Sequence, residues 1–147
     1  MNRALGIDLG QARVGLAISD ELGMLAHPLE TVPAGSGAIG RIADIVREKA
    51  IGCVVVGVPK SMSGKLGAAA NQANAFIEKL SAILPCKIVA WDERLTTVAA
   101  HRAMQDAGKN TRETRAYIDQ VAAQMILQGY LDQQEMLKPS HDHHPME

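Results

Sequence analysis

Cysteine is scarce in this chain. Cys53 and Cys86 are the only two, too few for a disulfide framework or a Cys-rich metal site. Each opens an apolar, strand-like run, as a buried reduced thiol behaving as a small hydrophobe would. Long apolar runs are missing too: none approaches the ~20 residues that span a bilayer. Met1-Asn2-Arg3 leads straight into the first strand, leaving no room for a signal peptide. Together these point to a cytoplasmic protein with no membrane partner. Neither sign of charge is in excess. The net charge of −1 is unlike that of a protein that coats nucleic acid. It is unevenly placed, however, because the acidic end leaves 14 basic and 12 acidic residues over 1–131. That permits a local basic patch without arguing for one. Internal repeats and linkers are absent, so 147 residues at 47% hydrophobic content make one ordinary globular domain.

What is present is arranged around Leu5-Gly6-Ile7-Asp8-Leu9-Gly10. The alternation predicts a strand with Leu5, Ile7 and Leu9 on one face and Gly6, Asp8 and Gly10 on the other. An ionised Asp buried without a partner costs several kcal/mol or more (~3 upwards), so Asp8 needs a cation, hydrogen-bond donors or water. The flanking glycines read as clearance for a metal ion with its ligands, or for a phosphate. The alternative is a turn-initiating Asp satisfied by backbone amides.

After Gly10-Gln11-Ala12, which reads as a hairpin turn, Arg13 to Ser19 alternates as a second strand. Met24 to Val32 is a third, with Pro28 marking an edge position. Ile39, Ile42, Ala43, Ile45 and Val46 then fall at helical spacing, and Gly52 reads as that helix's stop. The run Cys53 to Val58 has no alternation, as in a strand buried on both faces of a parallel sheet. A polar loop over 59–67 precedes a second helix carrying Ala69, Ala73, Phe76, Ile77 and Leu80. Lys87 to Trp91 is the fifth strand. Two helices close the domain, Val98 to Ala107 with a Thr cap and a Gly stop, and Ala116 to Leu131. This order predicts an α/β fold of ribonuclease-H-like layout: a mixed five-stranded sheet, three strands antiparallel and two parallel through helical crossovers, with helices on both faces. The domain is expected over 1–134, with 135–147 a disordered tail whose histidines belong to no site.

Ligands in open α/β sheets gather at the carboxyl ends of the parallel strands. Asp8 lies towards that end of the first strand. The fifth strand runs out into Asp92-Glu93-Arg94, and Asp119 sits near the start of the last helix, where Ala122 and Ala123 would allow a close approach. The acids could form a salt-bridge network with Arg94 and Arg115. They could equally form a carboxylate cluster, which, without Cys or well-placed His, favours Mg²⁺ or Mn²⁺. Two such ions roughly 4 Å apart would activate water and stabilise the leaving oxygen of a phosphodiester. Arg13, Lys60, Lys65, Arg94, Lys109, Arg112 and Arg115 could together hold a phosphate backbone, although each fits a solvated surface equally well. Gly57 to Lys65 lacks the Walker spacing of a P-loop, and Gly6 to Gly10 is not a dinucleotide-binding fingerprint.

These residues resemble a known family. Gly6 to Gly10, Arg13 to Asp20, Val56-Gly57-Val58-Pro59, Trp91-Asp92-Glu93-Arg94-Leu95-Thr96-Thr97 and Ile118-Asp119 through Leu131 are similar, in order and spacing, to the signature of the YqgF family. Its members are RuvC-like nucleases of the ribonuclease-H superfamily. The family is described both as Holliday-junction-resolvase-like and as acting on pre-16S rRNA. The resemblance implies metal-binding carboxylates at Asp8, Glu93 and Asp119, with Asp92 a candidate helper and Arg13 and Arg94 near the phosphate. It further implies a two-metal endonuclease acting on structured RNA, with branched DNA as the alternative, working as a monomer or homodimer. Two departures concern substrate grip. Ser61, Ser63 and Leu66 stand where the family's loop carries Asn and acids, and Lys109 to Arg115 is less basic than usual. A non-catalytic RNA-binding assembly factor is one rival reading. An actin-like phosphotransferase fragment, suggested by the Gly6 to Gly10 strand, is another.

Overall fold

The computed structural model describes residues 3–59, 67–95 and 112–138. Its centre is β1 (Arg3–Leu9), buried from Ala4 through Asp8. β2 (Arg13–Ser19) pairs antiparallel with β1, and β3 (Ala26–Pro33) pairs antiparallel with β2. On the other side β4 (Ile51–Val58) runs parallel to β1, and β5 (Lys87–Asp92) parallel to β4. The sheet order is therefore β3-β2-β1-β4-β5, the mixed arrangement that the element order predicts.

Strand alternation sorts the core into two layers. Leu5, Ile7, Val14, Leu16, Val54 and Val56 pack against α1 (Ser36–Glu48) and α2 (Ala68–Ile83), meeting Ile42, Ile45, Phe76 and Leu80. Their in-between neighbours Ala4, Ala17 and Val55 face α3 (Arg112–Leu137), meeting Ala122, Ala123, Ile126 and Leu127. The Val54-Val55-Val56 run is thus apolar throughout because both of its faces are covered. The side chains against α3 are small, which lets that helix lie close. A Cβ added at Gly6 would come 2.7 Å from Leu127 Cβ and 2.9 Å from the Ala123 carbonyl oxygen.

The ends of two helices depart from expectation. α1 stops at Glu48, and Ala50 takes a left-handed turn (φ 53°) straight into β4, so Gly52 lies inside the strand and is not the stop. α3 is longer than 116–131 at both ends and reaches Leu137, so 135–137, assigned to the tail, are helical. The expected helix over 98–107 and the tail beyond 138 lie outside the described residues.

α3 also covers the exposed edge of the sheet. Gln120, Gln124 and Gln128 are four residues apart and share one helix face. Gln120 Nε2 donates to Thr31 Oγ1 at 3.1 Å and Gln124 Nε2 to the Ala26 carbonyl at 2.9 Å. Gln128 accepts from Ala26 N–H at 2.8 Å and donates to the Met24 carbonyl at 2.9 Å. Gln124 and Gln128 thus occupy both backbone groups of Ala26 at the start of edge strand β3, groups that would otherwise be open to pairing with another chain.

The close seating of α3 predicts opposite effects at two glycines. Gly6→Ala should destabilise the protein by about 1–3 kcal/mol through overpacking. Gly40→Ala, in α1 with nothing within 4 Å of the added Cβ, should stabilise it by up to about 1 kcal/mol. Urea denaturation of both variants checks this, and equal effects would contradict the packing account.

Candidate active site

Asp8 is 3% exposed and shares the α3 face with Gly6. The glycines that matter to it lie beside it on neighbouring strands. Gly15 is its registered partner on β2. On β4, Ile7 pairs with Val56, so one step on Asp8 and Gly57 stand abreast. Gly15 and Gly57 each make room for another acid. A Cβ at Gly15 would collide with the backbone carbonyl of Asp119. At Gly57 it would come 2.5 Å from Ile126 Cδ1 and 2.8 Å from Glu93 Oε2. The row Gly15–Asp8–Gly57 therefore seats Asp119 on one side of Asp8 and the Glu93 carboxylate on the other. Adjacent strands are only ~4.8 Å apart, so three acids from β1, the β5 exit and α3 share one small area.

Gly10 and Gly6 have different tasks from the one expected of them. Gly10 N–H donates to the Arg13 carbonyl at 2.9 Å, and a Cβ on Gly10 would lie 2.6 Å from that oxygen, so it serves the hairpin turn. Gly6 serves the seating of α3. Across the strands, the glycines that border Asp8 are Gly15 and Gly57, set by register rather than by position along β1.

Glu93 leaves the sheet through a tight turn. Asp92 Oδ1 accepts from Arg94 N–H at 2.9 Å, drawing Glu93–Leu95 into a single 3₁₀ turn. Arg94 also grips the Asp92 carboxylate through its side chain, Nη2 to Oδ2 at 2.8 Å. Asp92, the candidate helper, thus caps the turn that presents Glu93. Glu93 itself is 5% exposed. Burial first, and the nearby Asp92 charge second, push its carboxyl up to about 7.

Asp119 is held differently. Its Oδ2 accepts from Arg13 Nε at 2.6 Å, in a partly exposed ion pair between β2 and α3. Arg115 is exposed on the first turn of α3. Arg112 opens that helix, but its side chain, like Lys60, Lys65 and Lys109, lies outside the described residues. Three carboxylates suit a hard divalent cation by donor type, and in that respect the residues fit the ion. In this arrangement, however, no group of three His, Cys, Asp or Glu among the described residues is placed to hold a metal. Residue-by-residue reading named Arg13 and Asp119 but missed their pairing, and it missed Gly15 and Gly57. Only cross-strand register could have found the glycines.

Known proteins resemble this chain in sequence and in fold. A family model described as RuvX, Holliday junction resolvase, matches residues 2–133. A relative from Halalkalibacterium halodurans, named "Putative pre-16S rRNA nuclease", is 42% identical over 138 residues, covering 91% of this chain and 99% of the relative. One of the same name from Nocardia farcinica is 47% identical, covering 94% and 82%. Among solved structures, T. thermophilus RuvC in complex with a Holliday junction superposes with a TM-score of 0.60 at 15% identity, covering 93% of this chain and 98% of that one. Fowlpox virus resolvase with Holliday junction DNA gives 0.51 at 10% identity, covering 92% and 99%. At those identities the likeness establishes the fold, the RuvC-like ribonuclease-H architecture.

The Glu93 environment makes a pH prediction. A carboxyl raised from 4.5 to about 7 binds its proton more tightly in the folded chain, so its contribution to stability falls as pH rises from about 4.5 to 7. Glu93→Gln should therefore stabilise the metal-free protein at pH 8, on the order of 2–3 kcal/mol, and have little effect at pH 4. Urea denaturation at the two pH values measures this, and a variant no more stable at pH 8 would contradict it.

Proposed function

This chain belongs to the RuvX (YqgF) family, and on that premise we propose that it is a divalent-metal-dependent endonuclease. It hydrolyses phosphodiester bonds in structured nucleic acid, with maturation of the 5′ end of pre-16S rRNA in the cytoplasm as its reaction. The observation that carries the reading is the glycine-flanked row that gathers Asp8, Glu93 and Asp119 on one face of the sheet. Acids brought together at the carboxyl end of β1 by backbone clearance on both sides form a cation site more readily than a surface salt-bridge network.

In this reading Asp8, Glu93 and Asp119 hold Mg²⁺ or Mn²⁺. When bound, the two ions supply activation of water and stabilisation of the leaving oxygen. The chain's own contribution is positional. β1 fixes Asp8 rigidly, the Asp92-capped turn presents Glu93, and α3 carries Asp119 in from above. Ala122, Ala123 and Ile126, all fully buried, close the inner side of the site against bulk water. Arg94 and Arg115, together with Lys60, Lys65, Lys109 and Arg112, supply cationic side chains for the substrate backbone. Cleavage leaves a 5′-phosphate and a 3′-hydroxyl. Resolution of branched DNA is the second reading, favoured by the description of the family model. It requires a homodimer presenting two sites, whereas RNA processing needs one.

Asp8→Asn and Glu93→Gln should each lower Mg²⁺-dependent cleavage of a pre-16S leader RNA by about 10³-fold, since several kcal/mol of charge stabilisation is removed. A synthetic four-way DNA junction assayed alongside separates the two substrate readings. Wild-type rates in both folded variants would overturn the enzymatic assignment.

A further inference from the structure

Asp119, one of the acidic group, is paired with a cation. Its partner, Arg13, sits two residues before Gly15 on β2, the glycine over which the Asp119 backbone lies. The two residues are therefore brought together by the strand–helix contact itself. The Arg13 guanidinium meets Asp119 Oδ2 at 2.6 Å, a short, charge-assisted contact. A carboxylate oxygen occupied in this way has less capacity for a metal ion, and a fixed positive charge a few ångströms away opposes a divalent cation directly. Arg13 also has somewhere to go. It borders an open groove of about 380 Å³ between β2, β3 and the start of α3, lined by Ala12, Thr31, Val32, Pro33 and Ala116.

We propose that Arg13 is a placeholder cation at Asp119, in direct competition with the divalent metal. In the metal-free protein Arg13 neutralises Asp119 and keeps it from the site. Metal binding exchanges that pair for coordination and turns the guanidinium toward the groove, where it meets the phosphate backbone of the substrate. Arg13 is thus a positioning residue whose release couples metal occupancy to nucleic-acid binding. The inference rests on the reading of Asp119 as a metal ligand.

The test is calorimetric titration of Mn²⁺ into the full chain without nucleic acid, so that no activity is involved. The single tryptophan, Trp91, two residues from Glu93, gives an independent optical readout. Arg13→Gln should bind Mn²⁺ at least about fivefold more tightly than wild type, because a competing ion pair and a nearby positive charge are removed. Tighter binding is a gain that mere structural damage would not produce. Arg13→Lys, which keeps the charge, should stay within about twofold of wild type and serves if the Gln variant folds poorly. In an Asp119→Asn background the Arg13→Gln effect should disappear. The two failures are distinguishable. If wild type binds Mn²⁺ through Asp119 but Arg13→Gln binds equally or more weakly, the placeholder is overturned and the metal site stands. If Asp119→Asn leaves wild-type Mn²⁺ affinity unchanged, both are overturned.

Discussion

The close seating of α3 on the sheet is the constraint on which the rest depends. A helix normally packs about 10 Å from a sheet of full-sized side chains; here β1, β2 and β4 present Gly6, Gly15 and Gly57 beneath it. Ala122 and Ala123 complete the approach from the helix side. This contact forms half of the core, brings Asp119 over Gly15 and closes the site from above. It also sets the glutamine ladder against β3, since Gln120, Gln124 and Gln128 continue the same helix. Fold stability, edge protection and site geometry therefore share one interface, and a side chain added at any of these glycines acts on all three.

The second constraint is electrostatic. Glu93 is buried close to the Asp92 charge, and these two influences push its carboxyl up to about 7. Asp119 responds differently, by pairing with Arg13. In the proposed reading, a divalent cation would take the place of both the Glu93 proton and the Arg13 guanidinium. This is the expected trade between stability and function: a site preorganised for strong positive charge is strained in its absence.

Much of this was legible in the sequence because it depends on periodicity. The alternation in Leu5 to Leu9 and the unbroken Val54-Val55-Val56 run give the central strand and its parallel neighbour, and the order of elements gives the sheet. The acids were legible by their positions at the ends of β1 and β5 and near the start of the last helix. What was hidden depends on register. Gly15 and Gly57 flank Asp8 only once β2 and β4 are aligned with β1, so nothing adjacent to Asp8 in the sequence points to them. The Arg13–Asp119 pair spans 106 residues and carries no local signal. The stop of α1 at Glu48 was hidden as well, since Ala50 adopts a left-handed turn that glycine more often takes.

The central claim is that the Gly15–Asp8–Gly57 row assembles a cation site from three separate elements. A crystal structure of the full chain grown with Mn²⁺, with anomalous diffraction measured, tests it most directly. The account predicts anomalous density coordinated at about 2.1 Å by the Asp8 and Glu93 carboxylates, with Asp119 turned in and separated from Arg13. Manganese bound elsewhere, or absent from this face at saturating concentration, would contradict it.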